Sequence, residues 1–131
     1  AQMLCSVWHR YGHGDKVKYK EAFKNHPCTL WAGYSHINYT WLWSHGRSLC
    51  HEYTERYGKT HACEEVIKGL LKVPFTFDNI RPTQQPQCMP DEYKVSGDAV
   101  KAYRNYYIGD KIRIAEWKTA PMPKWFRLGI V

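Results

Sequence analysis

Long apolar runs are missing from this chain of 131 residues. No stretch approaches the roughly 20 apolar residues that a membrane-spanning helix needs, and no secretory signal peptide is expected. These absences predict a cytoplasmic protein with no membrane partner. Paired cysteine spacing is missing too: Cys5, Cys28, Cys50, Cys63 and Cys88 are five in number, far apart, and form no CxxC pair. That pattern suits reduced cytosolic thiols rather than a disulfide framework. None of the seven histidines stands in an HExxH arrangement, so spacing predicts no metal site. His9 and His13 are four apart, but Gly12 and Gly14 interrupt the helix that would align them. The glycine spacing of a Walker phosphate loop does not occur, and no cofactor is expected. There is no internal repeat and no convincing strand pattern.

Acidic residues are the minority charge, 12 against 19 Lys and Arg, which leaves a net charge of +7. An excess of that sign suits a polyanionic partner such as DNA or a nucleotide. Six Trp, ten Tyr and four Phe make the chain 15% aromatic, enough to fill a core and line a groove as well. The length fits one domain with its own core. The expected fold is all-α: a compact single-domain helical bundle over 1–131, with a long Pro-containing loop. The oligomeric state is not indicated.

The pattern opens inside a helix, AQMLCSVWHRY, at an uncapped Ala1, and a native N-terminal segment is expected ahead of it. Gly12 and Gly14 end this helix, and Lys16, Lys18, Lys20 and Lys24 mark an exposed connector. Asn25 or His26 before Pro27 starts a short helix, from which Leu30 and Trp31 pack inward. Ser35 caps a long helix that runs to Tyr57 and stops at a left-handed Gly58. Leu42, Leu49, Tyr53 and Tyr57 recur on it at helical spacing, flanked by Trp41 and Cys50, while Gly46 suggests a close crossing. Thr60 caps a further helix from His61 to about Leu71, with Glu64 and Glu65 in its first turn. From Val73 to Val95, Pro74, Pro82, Pro86 and Pro90 predict an ordered wrap or lid. Asp98 caps a helix carrying Val100, Tyr103 and Tyr107 and closed by Gly109. A last helical turn or two leads to a Pro-rich tail anchored by Trp125 and Phe126.

Three constellations could carry chemistry. At the junction of Arg56, Lys59 and His61, cations stand beside a helix N-terminus, where phosphate binds well; Asn25 and His26 occupy a comparable end. Asp91, Glu92 and Lys94 place two carboxylates and an amine together, and Glu52 is the third acid suited to activating water or stabilising a cationic sugar. Between Lys101 and Arg127, basic residues including Arg104 and Lys111 interleave with Tyr103, Tyr107 and Trp117, a mixture that fits a phosphate backbone with bases stacked on rings. The bland alternatives are capped turns, a helix start, and aromatic packing under a solvated basic face.

The segments HPCTLWA, NYTWLW, LCHEYTERYGKTH, MPDEYK and AYRNYYIGDK, in this order, resemble a family of small phage and bacterial helical proteins. Some of that family are described as pyrimidine-dimer DNA glycosylases. The resemblance covers nearly the whole chain and implies a phage-type DNA-binding protein, with glycosylase or AP-lyase activity as the enzymatic possibility. In such proteins more helix precedes the segment that resembles Ala1–Leu4, and the phage pyrimidine-dimer glycosylases use an N-terminal amine and a nearby Glu, a motif that the start of this chain does not match. Two other readings stay open: a non-enzymatic binder of a small nucleotide or signalling molecule, and a structural or interaction subunit of a virion.

Overall fold

The computed structural model describes residues 1–129, and its regular structure is helical. Six α-helices follow in order: α1 (Gln2–Arg10), α2 (Pro27–Ala32), α3 (His36–Tyr57), α4 (Cys63–Lys68), α5 (Ala99–Asp110) and α6 (Lys124–Gly129). Short 3-10 turns cover Gly14–Lys16, Asp91–Tyr93 and Ile112–Ile114. Among the described residues β pairing is limited to a lone bridge between Ser35 and Asn79. No helix among them is long and apolar enough to cross a membrane.

Local chemistry sets most of the boundaries. The Ser35 hydroxyl accepts the Asn38 N–H at 3.2 Å and starts α3, and Gly58 ends it at φ +68°. The His26 Nδ1 accepts the Cys28 N–H at 3.0 Å ahead of Pro27, and an Asp98 oxygen accepts the Lys101 N–H at 3.0 Å to open α5. Some boundaries differ from the sequence expectation, and α4 ends at Lys68 rather than near Leu71. Helix α4 starts at Cys63 rather than His61, because the His61 Nδ1 takes the Cys63 N–H at 3.0 Å and does the work expected of Thr60. Helix α5 runs through Gly109, whose missing side chain leaves room for the Tyr93 ring. The Pro-rich tail, for which no helix was expected, contains α6, and Phe126 is buried there as an anchor.

The main core gathers around Tyr39, which is fully buried with Leu4, Cys5, Val7 and Trp8 of α1 and with Ile67, Leu70 and Phe77. Its hydroxyl accepts the Trp8 indole N–H at 2.8 Å and donates to the Leu70 carbonyl, so a large polar ring is buried without an orphan group. Gly46 lets α4 approach α3 closely: a methyl there would lie 3.3 Å from the Ile67 side chain. Trp31 packs inward as expected, whereas Leu30 is exposed. Leu49 and Tyr57 are also exposed; the buried residues of α3 are Asn38, Tyr39 and Cys50, and Leu42 and Trp43 pack against the core beside them.

The proline-containing stretch 73–95 is held as a wrap by specific hydrogen bonds. The buried Asn38 amide donates to the Trp31 carbonyl at 3.0 Å and the Thr83 hydroxyl at 2.8 Å, and accepts the Thr83 N–H at 3.1 Å. The Trp31 indole N–H donates to the Thr83 carbonyl at 3.0 Å. Further on, the Gln87 side chain pairs with the backbone of Val95, and the Tyr103 hydroxyl donates to the Pro86 carbonyl at 2.7 Å. Asn38→Leu keeps the volume but removes every one of these Asn38 bonds, and should cost about 2 kcal/mol. Urea unfolding measures that loss, and limited proteolysis should show faster cleavage near Thr83. Thr83→Val, which leaves the backbone bonds in place, should cost less than half as much.

Candidate functional site

The C-terminal half of α3 presents Leu49, Tyr53 and Tyr57 one turn apart, a stripe that faces away from the main core. Opposite it stand Tyr107 of α5 and the segment Ile114–Trp117, which leaves the 3-10 turn Ile112–Ile114. Between them lies a cleft of about 330 Å³ lined by four aromatic rings, those of Tyr53, Tyr57, Tyr107 and Trp117, with Arg56 at its edge. That volume is at the small end of ligand pockets, where flat, partly apolar molecules fit best.

Arg56 holds the two walls together. Its Nε donates to a Glu52 carboxylate oxygen at 2.9 Å, its Nη1 donates to the Glu116 carbonyl at 2.8 Å, and its guanidinium lies 5.5 Å from the centre of the Trp117 ring. The Thr119 hydroxyl adds a second tie, reaching the Glu55 and Arg56 carbonyls at the end of α3. Trp117 also rests on Phe126 of α6, with ring centres 4.7 Å apart. The cleft therefore has a fixed cation on one rim and rings whose positions are set by neighbours, an arrangement suited to a planar, electron-rich ligand.

Arg56, Tyr107 and Trp117 are thus brought to one place, with Glu52 beside them. The other expected residues lie elsewhere. Asp91 sits on the 3-10 turn Asp91–Tyr93, its carboxylate 2.9 Å from Lys94, and that hydrogen bond and charge hold it below the usual carboxylate range. Glu92 is exposed on the same turn, and neither acid lines the cleft. Lys59 is exposed after Gly58, while His61 is half-buried edge-on to Tyr53 at 4.7 Å. Arg104 lies over Trp125 at 5.3 Å, and Lys111 over Tyr106 at 5.1 Å. Asn25 is exposed next to His26. Tyr103 is engaged with Pro86 and Cys88 rather than with the cleft; burial above all pushes its hydroxyl pKa up to about 12.

Two features were not anticipated. One is an open groove of about 720 Å³ beside the core, bounded by His36, Leu71, Phe75 and Ile80 among others. The second is a cluster at the start of α2, where His26, Cys28 and Cys88 place one ligand atom each within 4.8 Å of one another. The Cys28 thiol is pushed up to about 11, by burial first and then by the neighbouring Cys88. All five cysteines are free thiols.

No protein-family model matches the chain, and no match was found among curated proteins or solved structures.

Arg56→Met removes the bond to the Glu116 carbonyl and the ring contact while keeping the aliphatic stem. It should cost about 1–2 kcal/mol in urea unfolding and speed amide exchange over residues 116–119. Lys59→Met, on the exposed side of the same turn, should leave both unchanged.

Proposed function

We propose that this protein binds DNA and takes an extruded base into the cleft between α3 and the segment Ile114–Trp117. The observation that carries the reading is the cleft itself: four aromatic rings and a fixed guanidinium around a space of about 330 Å³. The net charge of +7 supplies the sequence-independent attraction to phosphate, and the exposed Lys59, which follows the end of α3, is the phosphate contact we assign. Base flipping needs a stacking pocket, which Trp117 and Tyr107 provide in this reading. The resemblance to a family of small phage and bacterial helical proteins, some of them described as pyrimidine-dimer glycosylases, suggests a chemical step, cleavage of a glycosidic bond. In it Glu52, oriented by Arg56 next to the cleft, is the acid best placed to stabilise a cationic sugar. We further place the protein in the cytoplasm, as a single-domain helical bundle of phage type.

Fluorescence titration with duplex DNA carrying 2-aminopurine, with and without an adjacent thymine dimer, tests this across a salt series. The signal should rise on binding as the base unstacks, and log K should fall steeply with log salt. Trp117→Ala should weaken binding by roughly tenfold to a hundredfold at fixed salt, in keeping with one lost stacking contact. Glu52→Gln should bind equally well and lose any strand cleavage at the dimer. Competition by mononucleotides at concentrations that saturate the cleft, without a salt-steep response, would instead make the protein a binder of small nucleotides.

A further inference from the structure

Two neighbours of Pro27 and one residue 60 positions further on bring an imidazole and two thiols together. The Sγ atoms of Cys28 and Cys88 are 3.8 Å apart, well beyond the roughly 2.05 Å of a disulfide. That separation has a second meaning. Two thiolates bound to one tetrahedral zinc ion at about 2.3 Å each stand about 3.8 Å apart. The His26 ring nitrogen lies within 4.8 Å of both sulfurs, so a closure of at most about 1.2 Å completes the same geometry.

The approach of Cys88 is secured by its surroundings. Its N–H donates to the Tyr103 hydroxyl at 3.2 Å, Tyr103 in turn holds Pro86, and Gln87 is tied to Val95 on the far side of the turn. Cys28 and His26 are fixed by the start of α2. The donor set is two sulfurs and one imidazole with no carboxylate, which selects zinc over magnesium or calcium. Cys88 is exposed, so a fourth coordination position faces solvent.

We propose that His26, Cys28 and Cys88 form a zinc site with three protein ligands and an open fourth position taken by water. The His26 Nδ1 lone pair accepts the Cys28 N–H. A metal at Nδ1 takes the place of that hydrogen bond, and a metal at Nε2 requires the ring proton to move to Nδ1. Both thiols lose their protons on binding. The ion would clip the wrap at Cys88 to the start of α2. The site is independent of the cleft, and its test does not involve DNA.

The experiment is a titration of the whole reduced protein with Co²⁺, followed by displacement with Zn²⁺. The expected result is a thiolate-to-cobalt charge-transfer band that saturates at one ion per chain and disappears with zinc. Cys28→Ser and Cys88→Ser should each abolish it, His26→Gln should weaken binding more than about tenfold, and Tyr103→Phe, a positioning change, by about tenfold. Cys63→Ser should leave it unchanged, with circular dichroism confirming that each variant is folded. X-ray absorption of the zinc-loaded wild type should count two sulfurs around the metal, a readout that needs no variant. No band in the folded, reduced protein, a band that survives Cys88→Ser, or a sulfur count other than two would overturn the proposal. So would a Cys28–Cys88 disulfide that persists in reductant.

Discussion

Asn38 is the constraint on which the arrangement of the remaining parts depends. A carboxamide has two donor hydrogens and one acceptor oxygen, and here all three roles are used inside the protein, toward Trp31 and Thr83. A group buried this fully must be satisfied, and only one relative placement of α2, α3 and the wrap satisfies it. A hydrophobe of the same size would fill the space equally well but would accept many placements. The amide converts general burial into a specific register for the stretch 73–95, and that register brings Cys88 to Cys28 and lets Tyr103 reach Pro86.

The high aromatic content follows the same logic at larger scale. In the core, Trp8, Tyr39 and Leu70 form a hydrogen-bonded chain, and Trp43 donates to the Ile67 carbonyl at 2.7 Å. Each ring buries a large area and uses its polar end to bond a distant part of the chain, Trp8 the Tyr39 hydroxyl, Tyr39 and Trp43 a backbone carbonyl. In the C-terminal part, rings are paired with cations instead: Arg56 with Trp117, Arg104 with Trp125, Lys111 with Tyr106. Much of the positive charge there is thus committed to packing, through contacts worth about 0.5–1 kcal/mol each at exposed positions. A formal charge of +7 consequently overstates the charge free to meet phosphate near the cleft.

Helix starts and stops were legible wherever one short-range bond decides them, as at Ser35, Gly58, Asp98 and Pro27. They were misjudged where an imidazole replaced the usual capping side chain, at His61, and where a glycine served a neighbour rather than a turn, at Gly109. The stripe Leu49, Tyr53 and Tyr57 was visible as a periodicity, yet periodicity does not say which surface a stripe meets. Helix α3 has apolar residues on both sides, one set in the core and one on the cleft, so the pattern alone could not rank them. Glu52 and Arg56 are one turn apart and their pairing is local, whereas the contacts of Arg56 with Glu116 and Trp117 span 60 residues or so and leave no trace in spacing.

The His26, Cys28 and Cys88 cluster shows most plainly why spacing arguments fail here. Motif rules detect ligands that share a turn or a helix, where the local backbone sets their separation. Here one ligand arrives on a wrap whose position is decided by Asn38 and Tyr103, neither of them a ligand. Both candidate sites share that origin: the cleft lies where α3 meets the segment after α5, and the thiol cluster where the start of α2 meets the wrap. Within a continuous helix the backbone satisfies its own donors and acceptors and neighbouring side chains compete for the same surface. Where distant segments meet, side chains converge from independent directions, and it is there that space and uncommitted ligand atoms remain.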